Sequence, residues 1–191
     1  MPSSLDERGP PPFGTPDRER LRVVAEADFS FIWRSLRRLG VPTDSVDDAA
    51  QQVFEVAARR LADIEPGHER AFLFKTALWI AVEARRSAAR RRGIDGGDAL
   101  AHFEDPGPSP EEAAERRRQR ALLDRVLDGL PIETRAVFVL FELEELPGAE
   151  IARLLEIPPG TVASRLRRAR EEFHAEAKRL RARLGFRGEL R

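Results

Sequence analysis

The chain has no cysteine, which excludes a disulfide framework, thiol chemistry and cysteine-based zinc sites. It has no run near the ~20 apolar residues that a membrane-spanning helix needs. Its start, MPSSLDERGPPPFGTP, lacks the basic segment and apolar core of a secretory signal. A soluble, cytoplasmic protein without membrane insertion is expected. Catalytic signatures are missing too. His68, His102 and His174 are scattered, no H-E-x-x-H or nucleophile motif occurs, and the carboxylates fall on helix faces or in a linker. An enzyme is not expected, nor any catalytic residue, metal or cofactor. There is no alternating β pattern, so the class is all-α.

Excess charge of one sign is also lacking. The 33 basic and 33 acidic residues cancel, so no bulk field draws the chain to nucleic acid. Lysine is scarce: of the 33 basic residues only Lys75 and Lys178 are not arginine. Arginine offers a planar fork to phosphates, bases and carboxylates, although genome composition alone produces the same bias. What the charge does show is segregation. Every charged residue from Asp95 to Glu115 is acidic, whereas Arg and Lys dominate both Arg85–Arg92 and the chain from Thr161 onward.

Read in order, residues 1–16 are rich in Pro, Gly and Ser and are expected to be a disordered tail. Helical spacing begins near Asp17 and runs through Leu21, Val24, Ala25, Phe29, Ile32, Leu36 and Leu39, ending at Gly40-Val41-Pro42. Thr43 or Asp44 is placed to cap the next helix. That helix buries Val46, Ala50, Val53, Phe54 and Ala57, and its opposite face gathers Asp48, Gln51, Gln52 and Glu55. Such a face suits a basic partner helix, and it equally suits plain solvation. A loop spans Asp63–Arg70. The helix Ala71–Arg92 follows, aromatic and apolar early (Phe72, Phe74, Trp79) and basic late (Arg85, Arg86, Arg90). Rings beside arginines can grip unpaired strands by stacking and phosphate contact. A packed core with a basic helix C-terminus gives the same pattern.

Residues 93–110 read as a flexible, acidic Gly/Pro linker. They divide the chain into two small helical domains, 17–92 and 111–184, with a tail at 185–191. The halves are expected to fold independently and to move relative to each other. The second half carries helices over Glu111–Gly129 and Thr134–Leu143, then the organising stretch Leu146–Arg170, two helices around Ile157-Pro158-Pro159-Gly160. Proline there interrupts the helix by removing amide donors. Ala152 is small, as a close helix crossing requires. In the last helix, starting at Thr161 and running to about Leu184, Val162, Leu166 and Ala169 share a narrow inward face. Ser164, Arg167 and Arg168 lie opposite, flanked by Thr161, Ala163 and Arg165. This is a helix-turn-helix whose second helix suits the major groove; a basic surface helix on an ordinary bundle shares the pattern.

Three stretches together resemble the bacterial extracytoplasmic-function (ECF) RNA polymerase sigma factors, of the sigma-seventy superfamily. Asp47-Asp48-Ala49-Ala50-Gln51-Gln52-Val53-Phe54 is similar to the family's region-two helix, and Arg70-Ala71-Phe72-Leu73-Phe74-Lys75-Thr76-Ala77 to the start of its promoter-melting helix. Ser109-Pro110-Glu111, Leu130-Pro131, Arg135 and the helix-turn-helix resemble region four. The resemblance implies a non-catalytic subunit with two partners, bacterial core RNA polymerase and promoter DNA, and an anti-sigma factor as a further partner. Asp48, Gln51, Gln52 and Glu55 would dock the clamp helices of the polymerase's largest subunit. Phe72, Trp79, Glu83, Arg85 and Arg86 would meet the minus-ten element and hold its non-template strand open. Thr161, Ser164, Arg165, Arg167 and Arg168 would read the minus-thirty-five element. The linker would thread toward the active-site cleft and the RNA exit path.

The chain departs from the family pattern at Gln52, where Glu is usual, and at Trp79, where many members carry Asn. It departs again at Glu156 in place of the turn glycine, and at Ala163 in place of a basic residue. A free-standing helix-turn-helix regulator is the alternative. It would bind paired half-sites as a dimer, whereas a sigma factor free of polymerase is expected to be a monomer.

Overall fold

The computed structural model describes residues 15–92 and 110–184; residues 1–14 of the expected N-terminal tail, the expected C-terminal tail from 185 and nearly all of the expected linker lie outside them, while Thr15 and Pro16, expected in the tail, already belong to a helix. All regular structure among the described residues is helical. The first group comprises α1 (Thr15–Leu39), α2 (Val46–Arg59) and α3 (Glu69–Arg92). The second comprises α4 (Pro110–Asp128), α5 (Ile132–Phe138), α6 (Gly148–Leu155) and α7 (Pro159–Arg183).

The first group is a three-helix arrangement in which each helix packs on the other two. Ile32, Leu36 and Leu39 of α1 are buried, as their three- and four-residue spacing requires. Phe29, on the same expected stripe, is instead 47% exposed. It stacks on Phe54 of α2 with ring centroids 5.8 Å apart, at the rim and not inside. Gly40 ends α1 with φ +98°, and the amide of Val41 returns to the carbonyl of Leu36 at 3.1 Å. This left-handed closure is cheap only for glycine. The expected Thr43 or Asp44 cap is replaced by a single 3-10 turn, Thr43–Ser45. Ser45 then leads into α2 without a side-chain cap bond. Asp47 and Asp48 in the first turn complement the helix dipole.

The start of α3 is built by Glu69, earlier than the expected Ala71. Its carboxylate accepts the Gly67 amide at 2.8 Å and Arg20 Nε at 2.9 Å. Arg20 also donates to the Leu61 and Ile64 carbonyls, at 3.2 and 2.6 Å, so one guanidinium ties α1 to the whole approach to α3. Burial of the Glu69 carboxyl pushes its pKa up. Hydrogen bonds from its own amide, Arg20 and Gly67 outweigh this, and the net shift is downward.

In the second group, the helix expected over Thr134–Leu143 is two pieces. α5 covers Ile132–Phe138, and one wide π turn follows at Val139–Leu143. α6 ends on Glu156 in the left-handed conformation (φ 52°, ψ 46°), the position where glycine would sit unstrained. α7 begins at Pro159, two residues before the expected Thr161. Pro158 is extended and Pro159 takes the first helical position, where no amide donor is needed. Val162, Leu166 and Ala169 are buried, and α7 packs on α4, α5 and α6.

The two helical groups also touch each other. One hydrophobic cluster takes Leu36, Leu73 and Phe74 from the first group together with Val137, Leu140, Ile151 and Leu166 from the second. α6 lies against α3, and α1 against α4 and α5. A smaller cluster of Leu127, Leu130, Phe138 and Ala169 belongs to the second group alone.

Candidate nucleic-acid and polymerase interfaces

On α2 the residues Asp48, Gln51, Gln52 and Glu55 are all exposed. The Gln51 amide donates to Glu55 at 2.8 Å, and Arg59 pairs weakly with the same carboxylate at 3.5 Å. α2 packs chiefly on α1 and α3, and this face stays exposed. Aromatics from α1 extend it, which the sequence reading did not place there. Phe29 and Trp33 line a shallow groove with Ser30 and Arg34, and Trp33 Nε1 donates to Asp47 at 2.7 Å. The sequence signal was the i, i+4 spacing of Phe29 and Trp33, which does not distinguish a rim from a core.

Along α3, Phe72, Trp79, Glu83 and Arg86 share one face at 100° per residue. Trp79 is 60% exposed, a large apolar ring on the surface with no packing role to explain it. Arg60 sits over the half-buried Phe72 ring, 5.9 Å from its centroid. Arg86 pairs with Glu83 at 2.8 Å, and Arg90 donates to Ser87. Arg85 does not join this face. It lies about 140° round the helix from Phe72 and donates to the Asp128 carbonyl at 3.1 Å and the Leu39 carbonyl at 3.5 Å. In this arrangement it satisfies the ends of α1 and α4.

On α7 the outward set is Ser164, Arg167 and Arg168, all exposed, with Thr161 and Arg165 half-buried beside them. The Ser164 hydroxyl donates to the Thr161 carbonyl at 3.0 Å. Arg167 and Arg168 pair one turn ahead with Glu171 and Glu172, each at 2.8 Å. Exposed pairs at this spacing are worth about 0.3–0.5 kcal/mol, so a phosphate or a guanine edge can displace them. Glu172 also accepts the Thr134 hydroxyl at 2.8 Å, which fixes α7 against α5.

The residues missed by the sequence reading are those that join the groups. Arg135 is fully buried, and its Nε donates to the Arg38 carbonyl at 2.5 Å and its Nη1 to Asp128 at 2.7 Å. Burial pushes its pKa down to about 10 against the opposing pull of Asp128. Glu144, just after the π turn, receives Arg34 at 2.8 Å and Arg38 at 2.5 Å, and its side chain is 5% exposed. Arg70 lies between Asp28 and Glu150, and Lys75 pairs with Glu156. Read along the sequence, none of these charges shows what it pairs with. Only the fold reveals the partner.

Residues 120–173 match the family model described as Sigma-70, region 4. The chain is 31% identical over 144 residues to the ECF RNA polymerase sigma factor SigE of Mycolicibacterium smegmatis, covering 74% of this chain and 55% of that protein. It is 31% identical over 140 residues to the ECF RNA polymerase sigma-E factor of Escherichia coli, covering 69% of this chain and 73% of that protein. Two solved structures share the fold. One is CnrH in complex with the cytosolic domain of CnrY, with TM-score 0.62 and 23% identity over 83% of this chain and 87% of that one. The other is the sigma factor RpoE in complex with the anti-sigma factor NepR from Bartonella quintana, with TM-score 0.58 and 18% identity over 86% of this chain and 98% of that one. With a curated relative above 30% identity matched over nearly three quarters of its length, this chain belongs to the ECF RNA polymerase sigma factors.

Proposed function

We infer that the chain is a promoter-specificity subunit, binding core RNA polymerase and directing transcription initiation at promoters with its minus-ten and minus-thirty-five elements. It performs no catalysis of its own. The observation that carries the reading is the α6–α7 pair, which the matched region covers up to residue 173. Its inward side is apolar and its outward side presents Ser164, Arg167 and Arg168. A hydroxyl and two guanidinium forks on one exposed helix face fit base edges and phosphates in the major groove. This pair is the helix-turn-helix, with Thr161 and Arg165 flanking the contact.

The minus-ten element goes to α3. Trp79 and Phe72 stack on unpaired bases while Arg86 meets phosphate. Glu83 orients Arg86 through their ion pair. The open α2 face, Asp48, Gln51, Gln52 and Glu55, docks the polymerase clamp helices. The acidic stretch 93–110 separates the two halves in the sequence. An anti-sigma factor is the partner that restrains the protein; the two structural neighbours were solved with CnrY and NepR, the latter titled an anti-sigma factor. Work on chromosomal promoters places the protein in the cytoplasm, and among the described residues no helix is long and apolar enough to cross a membrane. Membership of the sigma family removes the stand-alone dimeric regulator from consideration.

Run-off transcription tests this directly, with bacterial core polymerase, a promoter-fragment library, and the protein present or omitted. Start-site-specific transcripts that depend on the protein are expected. Their absence, together with failure to co-purify with core, would refute the reading.

A further inference from the structure

The two outward arginines of α7 make ion pairs of the same length, yet the carboxylates that hold them differ. Arg167 donates through Nη1 to Glu171, whose side chain is 62% exposed. Arg168 donates through Nε to Glu172, whose side chain is 23% exposed. The second oxygen of Glu172 accepts the hydroxyl of Thr134, a buried residue of α5. Around that bond the backbone of α7 is held in place. Ala169 is fully buried, and Phe173 stacks on Phe138 of α5 with ring centroids 4.7 Å apart. Arg168 is thus tied through one carboxylate to the core of its own half, whereas the partner of Arg167 lies on the helix surface.

The choice of nitrogen matters as much. A guanine edge takes two donors side by side, onto O6 and N7. With Nε on Glu172, Arg168 keeps Nη1 and Nη2 for that edge, so the ion pair persists while the base is read. Arg167 has one of those two donors on Glu171 and must release it to present the same fork. Fixing a long side chain in advance removes the ordering cost from the binding step and confines the fork to one place over the groove. A loose guanidinium suits a phosphate, which asks for charge and carries no sequence information.

We propose that Thr134 and Glu172 are positioning residues for promoter recognition: through them α5 aims Arg168 at a guanine edge, while Arg167, without such support, meets phosphate. This rests on the sigma reading above and adds to it a division of labour between two adjacent arginines. A buried hydroxyl that cannot itself reach DNA sets that division.

Run-off transcription with core polymerase, on a library randomised across the minus-thirty-five element, gives each variant's preference at every base pair. Such preferences are ratios within one sample, so a smaller folded fraction leaves them unchanged. Arg168→Ala is expected to lose a G·C preference at one base pair, by roughly 5- to 150-fold. Thr134→Val keeps the shape and removes the hydroxyl; it is expected to relax that same preference by about two- to tenfold, and Thr134→Ser to retain it. Glu172→Ala should relax it too, without lowering the yield from other promoters, because a negative charge beside the DNA is removed. Arg168→Ala with Thr134→Val should relax it no further than Arg168→Ala alone. Arg167→Ala is expected to weaken holoenzyme binding to all sequences alike and to reduce its salt slope by about one. An unchanged profile in Thr134→Val, or a relaxation spread over every position, would make Thr134 merely structural and overturn the proposal. So would a base preference that follows Arg167 instead of Arg168. If the wild type gives no protein-dependent transcripts, the sigma reading itself falls and the proposal with it, an outcome that the wild type alone reveals.

Discussion

Single residues at this protein's junctions carry more than their position in the sequence suggests. Glu69 is the clearest case, a carboxylate that starts α3 by accepting the Gly67 amide and Arg20. Its pKa is lowered in the folded state. The unfolded state therefore binds the proton more readily, and the stabilisation is present above the ordinary Glu value, about pH 4, and lost as pH falls through the depressed folded value. Glu69→Gln is expected to cost about 1–2 kcal/mol at pH 7, with the difference from wild type shrinking on acidification below about pH 4. Urea titrations at pH 7 and pH 3.5 measure it; a penalty independent of pH would mean that the charge is not what matters. Gly40 is a second case. A methyl group there would stand 3.1 Å from Arg135 Nη1 and 3.2 Å from Asp128 Oδ1, on a backbone with φ +98°. Gly40→Ala is expected to destabilise by about 1–3 kcal/mol through backbone strain and through displacement of the Arg135–Asp128 pair. Thermal unfolding reports it, and an unchanged midpoint would show that the α1 terminus yields more easily than its contacts imply.

Helices divide into faces, and the faces were legible where one partner covers them. The spacing of Ile32, Leu36 and Leu39, and of Val162, Leu166 and Ala169, identified buried stripes that are buried in the fold. Periodicity states which side is inward but not what covers it. That is why Arg34, Arg38 and Glu144 could not be paired from sequence, and why Arg85, grouped with the minus-ten residues, turns out to hold carbonyls of α1 and α4. A signal was present in α3. Leu73, Phe74, Ala77, Ile80 and Ala81 are buried, with Leu78 partly buried, a wider apolar arc than one neighbour needs. Two neighbours supply it, the α1–α2 pair on one side and α6 on another. The π turn at Val139–Leu143 had no sequence signal, since its composition is that of ordinary helix. Against this background the exposed Trp79 stands out as an aromatic ring without a structural duty. Trp79→Ala is expected to change stability by less than about 0.5 kcal/mol yet to lower run-off transcription by roughly five- to a hundredfold, the loss of one base-stacking contact. A pre-opened promoter should recover most of the deficit. Equal deficits on duplex and pre-opened templates would assign Trp79 to another step.

At the scale of the molecule, the shared cluster makes a claim about cooperativity. Ile151 on α6 is fully buried in the cluster that also holds Leu73 and Phe74 of α3. Both tryptophans of the chain, Trp33 and Trp79, lie in the first group, so tryptophan fluorescence follows that group alone. If the joint is part of one folding unit, a cavity cut into the second group must weaken the first. Ile151→Ala should remove about 2–5 kcal/mol from the unit it belongs to, and the fluorescence midpoint in urea should fall with the helix signal. Two independent halves give a different result: circular dichroism shows an early partial transition while the tryptophan midpoint stays where wild type has it. The measurement also bears on whether the two groups can part without loss of fold. A form with α3 and α6 apart exposes this apolar contact and has to lie between the packed and unfolded states in free energy. A tryptophan transition that moves by less than the whole-chain signal would place that intermediate within reach of a docking polymerase, which could cover the uncovered surface as it separates the halves.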